Sequence, residues 1–281
     1  MKVKITSDST CDLSPELVAQ YDIGILPLLI TFGEKAFRDG VDTSPEDIYR
    51  YVQETGTLPK TCALNISEYD EFFRKWTEEG YALVHFCIGG HFSSTCQNAK
   101  IAAEQFEQVY VVDSQNLSTG QGLLVLRAAE LARQGLSAKE IAEACDALAP
   151  KVEASFVLDE LQYLVKGGRC SGVAAFGANL LKLKPCIEVR GGVMEPAKKY
   201  RGKIQNVILE YVTDKLTGRE DLDKSRVFIT HTRCEAEWVE AALQKVQELV
   251  PDFAEVLETT AGATVTTHCG PSTLGVLFIR K

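Results

Sequence analysis

Ala82–Ala99, ALVHFCIGGHFSSTCQNA, is the stretch on which the fold class turns. Ala82 to Ile88 is a short apolar, β-favouring run closed by Gly89-Gly90, the pattern of a buried strand. His91 to Ala99 then reads as a polar loop entering a helix. Hydroxyls and free backbone N–H groups at a helix start make a natural anion seat. Strand, glycine turn and helix in that order are the repeating unit of a parallel sheet.

The same unit recurs on either side. Val3 to Thr6 reads as a strand ending in the polar turn Ser7-Asp8-Ser9-Thr10, with Ser14-Pro15 as cap and first helical residue beyond it. Open α/β sheets place ligands at such turns, and plain turn chemistry accounts for Asp8 and Ser9 equally well. Ile23 to Phe32 reads as a second strand containing Pro27, and Phe37 to Gly40 as a turn. Ser44-Pro45 starts a helix to Glu54, TGTLPKTCALN is a loop, and Ser67 to Asp70 is a capping-box-like start of a helix to Glu79. Val109 to Val112 is a strand. A helix containing Gly120 and Gly122 runs to Gln134, and Ser137 to Glu140 caps another that ends near Pro150.

Beyond Pro150 the rhythm changes. Ala154 to Leu158 reads as a strand and Glu160 to Lys166 as a short helix. Cys186 to Arg190 and Val193 to Ala197 read as a strand pair, followed by a helix over Gly202 to Leu216. Val227 to His231, Glu255 to Thr259 and the tail GVLFIR are strands, with a helix over Glu235 to Leu249. Consecutive strands imply antiparallel pairing. The expected fold is α/β in two domains: an N-terminal parallel-sheet α/β domain (residues 1–153) and a C-terminal α+β domain with a mixed sheet (154–281).

Chemistry concentrates in Leu164–Gly202. There the turn Gly167-Gly168-Arg169, an apolar segment from Val173 to Leu183 and a second arginine, Arg201, lie close together. Glycine gives backbone freedom and close approach, and arginine grips carboxylate or phosphate in a planar fork. An anionic head beside an apolar cavity is the ligand this composition fits, with Val173 to Leu183 either part of the tail wall or an ordinary core helix.

The 281 residues carry a formal net charge of −9, which argues against a nucleic-acid surface. No run of 18 apolar residues marks a membrane span, and MKVKITSDST lacks the apolar region of a signal peptide, so a cytoplasmic location is expected. The nine cysteines are dispersed, with no C-x-x-C pair, and read as buried thiols with no metal site. The chain has no G-x-S-x-G elbow, P-loop, H-E-x-x-H or G-x-G-x-x-G motif. His85, inside an apolar strand, reads as a core histidine. His268, between a polar run and Gly270-Pro271, is a candidate for a site rim or a cap. Chemistry alone therefore favours a binding protein without a cofactor, or an enzyme whose site carries none of these signatures.

Ser7-Asp8-Ser9-Thr10, Lys60-Thr61-Cys62, Ser93 to Ala99, Val112-Asp113-Ser114, Gly167-Gly168-Arg169, Lys184-Pro185, Tyr200-Arg201-Gly202 and Thr267 to Pro271 come in the order seen in the DegV family, which the chain resembles along nearly its whole length. The resemblance implies a bacterial fatty-acid-binding protein. Some members are the carrier subunit of a fatty acid kinase and hold the acid while a separate ATP-dependent kinase phosphorylates its carboxylate. By resemblance, Thr61 and Ser93 bind that carboxylate, and Arg169, Arg201 and His268 form a polar cluster near the head group and the kinase-docking face. The implied ligand lies between the two domains with its tail in the second. The implied partners are a long-chain fatty acid and the kinase, with only transient membrane contact and no nucleic acid. Cys62, Ser94 and Ser272 depart from the serine, glycine and glycine usual at those positions. The rival expectation is a small-molecule kinase or transferase using the same polar interdomain cleft.

Overall fold

The computed structural model describes residues 1–170, 172 and 183–281. Strand β1 (Lys2–Asp8) is buried from Lys4 onward. Helix α1 (Pro15–Gln20) begins as its sequence dictates: Ser14 Oγ accepts the Leu17 N–H at 3.3 Å, and Pro15 is the first helical residue. The apolar run that follows is not one strand. It breaks at Pro27 into β2 (Gly24–Leu26), parallel to β1, and β3 (Leu29–Phe32), which enters a different sheet. Proline has no N–H to give a ladder, and here the chain leaves the first sheet at Pro27. The expected turn at Phe37 is mostly strand β4 (Lys35–Arg38), antiparallel to β3.

Helix α2 (Pro45–Thr55) is capped by Asp47, whose Oδ2 accepts the Ser44 N–H at 2.9 Å. The loop expected after it contains β5 (Lys60–Cys62), antiparallel to β3 with Thr61 opposite Ile30. The cap of helix α3 (Ile66–Glu78) lies two residues before the expected Ser67. Asn65 is its N-cap, reciprocally bonded with Glu68. Then come β6 (Tyr81–Cys87), α4 (Thr95–Ala103), β7 (Val109–Asp113), α5 (Thr119–Arg133) and α6 (Ala138–Leu148). The first sheet has the order β2-β1-β6-β7 and is parallel throughout. Within β6, His85 is a core histidine: Nδ1 lies 3.0 Å from Thr6 Oγ1, aromatic rings of Tyr69, Phe72 and Phe73 meet it edge-on, and burial lowers its pKa to about 3.

The second half contributes β8 (Val152–Val157), α7 (Leu161–Gly167), β9 (Leu183–Arg190), β10 (Val193–Arg201), α8 (Ile204–Leu216), β11 (Leu222–Thr232), α9 (Ala236–Leu249), β12 (Glu255–Thr260), α10 (Ala263–Cys269) and β13 (Thr273–Arg280). Its sheet has the order β10-β9-β8-β13-β11-β12, antiparallel except between β11 and β12. The alternation of strand side chains loads both faces. Val276 and Phe278 pack with α8 and α9, while Leu277 and Ile279 belong to a core shared with α5 and the first sheet. Helix α5 is buried along Thr119 to Leu126, as a helix wedged between two sheets must be. Its glycines therefore serve packing: a Cβ on Gly122 would lie 2.8 Å from the Cys11 carbonyl oxygen. The apolar segment 173–182, expected as tail wall or core helix, lies outside the described residues; Leu183 opens β9.

Candidate functional site

β5, the β6–α4 loop, α7 and α10 converge on a cavity of about 170 Å³. Leu28, Ile88, Phe92, Leu164, Met194 and Val265 supply apolar wall, and Thr61, Ser93, Arg169 and His268 bring polar groups to the same space. Four of the five residues singled out in the sequence are thus gathered from four separate elements. Arg201 is not among them. It ends β10, seven residues beyond Met194, roughly 20 Å of extended strand.

Each polar group is held by its local structure. Thr61 is fixed by β5 pairing on β3, and its Oγ1 lies 2.9 Å from His268 Nε2. Ser93 Oγ accepts the Thr95 N–H at 3.2 Å and lies 2.7 Å from Thr95 Oγ1, so the hydroxyl is pinned at the start of α4. Arg169 Nη1 donates to the Gly167 carbonyl at 2.7 Å, and Nε to the Phe92 carbonyl at 3.4 Å. Among the described residues no carboxylate pairs with it, so the exposed guanidinium keeps donors for an anion.

The glycines of Gly167-Gly168-Arg169 have separate reasons. Gly168 ends α7 at φ +69°, a left-handed C-cap. Gly167 makes room for the histidine: a Cβ there would stand 2.4 Å from His268 Nδ1. That nitrogen is buried and has no hydrogen-bond partner among the described residues. Burial first, and the nearby Arg169 charge second, lower the His268 pKa to about 4. At neutral pH the imidazole is therefore uncharged, and Arg169 is the one full charge among the four polar groups.

Helix α10, expected as a polar run, exists because distant residues cap it. Asp39 Oδ1 accepts the Ala263 N–H at 2.9 Å and Oδ2 the Thr264 N–H at 3.2 Å, while Asp12 Oδ1 accepts the Gly262 N–H at 2.8 Å. Ser9 Oγ donates to Asp39 Oδ2 at 3.0 Å and accepts the Leu28 N–H at 3.1 Å. The turn after β1 is thus architecture supporting the cavity. Asp8 within it is wholly enclosed, its oxygens taken by Thr10, Gln121 and the Ile88 N–H. No sequence signal nearby reveals Asp12 and Asp39 as caps, because their partners lie more than 220 residues away.

The three departures from the family pattern resolve separately. Cys62 is half-buried and lines the cavity. Ser94 has right-handed backbone at φ −72°, ψ −1°, so its side chain costs no strain. Ser272 sits at φ +56°, where a non-glycine residue is strained. A smaller void of about 30 Å³ against the second sheet shares Leu117, Val265 and Cys269 with the main cavity, continuing its apolar wall inward. Among the described residues no three His, Cys, Asp or Glu side chains gather as for a metal ion, and no helix is long and apolar enough to cross a membrane.

Comparison with known proteins places this architecture. A DegV domain-containing protein of Clostridium acetobutylicum is 32% identical over 284 residues, covering 100% of this chain and 99% of that one. A protein of Thermotoga maritima named fatty acid-binding protein is 32% identical over 287 residues, covering 98% of this chain and 96% of its own. Among solved structures, a fatty-acid-binding DegV family protein from Thermus thermophilus superposes with a TM-score of 0.88 at 29% identity, covering 100% of both chains. A stearic acid-binding protein from Eubacterium ventriosum gives 0.80 at 27% identity, covering 99% and 98%. The model of the DegV family, described as uncharacterised protein, matches residues 2–281. With the parallel first sheet, the mixed second sheet and a family match from end to end, this chain belongs to the DegV family.

Proposed function

We propose that the chain binds a long-chain fatty acid and presents its carboxylate to a separate ATP-dependent kinase for phosphorylation to an acyl phosphate. The observation that carries this reading is the meeting of two hydroxyls, a neutral imidazole and a free-edged arginine in a cavity whose remaining walls are largely apolar. In this reading the carboxylate seats on Thr61 and Ser93, and the tail follows Ile88, Leu117 and Val265 inward. Relatives and structural neighbours named for fatty acid binding support the ligand class.

The chemistry follows from the charge state. A neutral His268 that donates from Nε2 to Thr61 Oγ1 leaves the threonine proton for the ligand. Hydroxyls hold a carboxylate without neutralising it, so one oxygen stays nucleophilic toward a phosphoryl donor. Arg169 would stabilise the charge that develops in that transfer. Arg201, remote from the cavity, would act at the kinase-docking face. Each buried CH₂ contributes roughly 0.8 kcal/mol, so a tail of about fifteen carbons supplies about 10 kcal/mol gross and dominates affinity. We assign residues 1–153 and 154–281 to two folding units holding the acid between them, in a cytoplasmic carrier that touches membranes only transiently.

Mass spectrometry of an organic extract of the purified protein tests the reading. A long-chain fatty acid at one equivalent is expected. A clean extract followed by no uptake of added oleate or palmitate would refute it, and ATP binding by the isolated chain would then favour a small-molecule kinase or transferase.

A further inference from the structure

Helix α10 carries His268 near one end and is held at the other by two buried carboxyl groups that approach each other. Both come within 3.4 Å of one point, where a Cβ on Gly262 would stand. Their hydrogen-bond surroundings differ. Asp39 accepts from three donors, the N–H groups of Ala263 and Thr264 and the Ser9 hydroxyl, which is what a carboxylate requires. Asp12 accepts from two, the Gly262 N–H and the Ser118 hydroxyl, which donates to its other oxygen at 2.5 Å. With one donor fewer than Asp39, Asp12 is the less compensated of the two buried carboxyls. Ser118 is held for it at φ 53°, ψ −145°, a backbone region that only glycine enters freely.

We propose that Asp12 is a positioning residue for the ligand seat, and that a proton on Asp12 keeps α10 docked so that His268 can hold Thr61. This rests on the fatty-acid-binding reading of the cavity. With the proton present, Asp12 and Asp39 share the Gly262 corner as acid and carboxylate. With it lost, two like charges face each other away from water, and the corner loosens. The rest of α10 transmits the change: Gly262 precedes its first residue, and His268 lies within its last turn. The other titratable groups facing Asp12 are Asp8 from β1, Cys11 from its own turn and Cys269 from α10. Asp8 would add negative charge, and both thiols are held neutral by burial, with pKa values pushed up to about 12. No cation stands by to replace the proton among these groups. Burial is the main reason Asp12 keeps it, with a pKa raised to about 8.

The test is fluorescence titration of the full chain, stripped of lipid, with cis-parinaric acid between pH 6 and pH 9. Affinity should be constant near pH 6 and about tenfold weaker at pH 9, as expected when the competent form falls to about a tenth of the population. Asp12→Asn keeps the acceptor for Gly262 N–H and gives Ser118 a permanent N–H donor, so its affinity should stay level to pH 9. Level binding by the parent chain, or an equal fall in parent and Asp12→Asn, overturns the proposal. So does a parent chain whose circular dichroism shows global unfolding at pH 9. If Asp12→Asn does not fold, the parent profile with its dichroism control still decides. No binding at pH 6 refutes the carrier reading itself, and this proposal with it.

Discussion

Gly167→Ala sets two effects against each other, and the structure says which wins. Gly167 closes α7 with ordinary helical backbone, so alanine meets no φ penalty and helix propensity favours it by up to about 1 kcal/mol. Against this, the new Cβ falls 2.4 Å from His268 Nδ1, an ångström inside the 3.4 Å at which ordinary contact begins. The ring cannot yield freely, because Nε2 is tied to Thr61 Oγ1 at 2.9 Å. A 1 Å displacement breaks that bond. Overpacking costs about 1–3 kcal/mol and the lost hydrogen bond about 1 kcal/mol, so the clash outweighs the propensity gain. Urea unfolding should show a net loss of about 1–3 kcal/mol, and fatty acid affinity should fall with it. In a His268→Ala background the obstacle is gone, and the same glycine replacement should be neutral or mildly stabilising. The coupling energy of this double-mutant cycle isolates the contact. Equal effects in both backgrounds would refute the reasoning.

Four further outcomes follow from the geometry. Thr61→Ala and Ser93→Ala should each weaken oleate binding about tenfold, the value of one hydrogen bond to a charged group, without shifting the melting midpoint by more than a few degrees. Arg201→Ala should leave fatty acid affinity within about twofold while slowing phosphorylation by an added fatty acid kinase; equal losses would place the residue in the seat. An Ellman titration of the native protein should modify at most Cys62 and Cys234 quickly, and all nine thiols in denaturant. Bound oleate should protect Cys62, which lines the cavity, and not Cys234. For stability, Asp12 has a folded pKa of about 8, raised above the ordinary 3.8. Its contribution is therefore full below pH 3.8 and is lost as pH rises through about 8. The melting midpoint of Asp12→Asn, relative to the parent, should rise across that window; a flat difference would show that Asp12 ionises normally.

Much of the fold is written locally. Ser14-Pro15, Ser44-Pro45 and the Ser137–Glu140 box announce helix starts through bonds within four residues, and the alternation of β6, α4 and β7 needs only periodicity. What sequence leaves hidden depends on distant partners. β5 is three residues long and becomes a strand only because β3 offers it a ladder. Helix α10, ATVTTHC, is rich in β-branched residues and poor in helix propensity. Asp12 and Asp39 make it a helix from the far end of the chain. The site shows the same division. Thr61, Ser93, Arg169 and His268 are visible as motif residues, while Leu28, Leu164 and Met194 look like any other core apolar side chain until the fold brings them together.

The order of strands in the second sheet also governs when the protein can fold. β13 lies between β8 and β11, so residues 273–280 supply the spine on which both flanks of that sheet are laid. During synthesis β8 and β11 emerge long before the strand that separates them. Each must wait with open hydrogen-bonding edges, and a direct β8–β11 pairing would be a trap. The first sheet is complete once β7 has emerged and has no such delay. The parallel sheet can therefore pair early in synthesis, while the second sheet must wait for its last strand, an interval in which chaperones and aggregation compete for the chain.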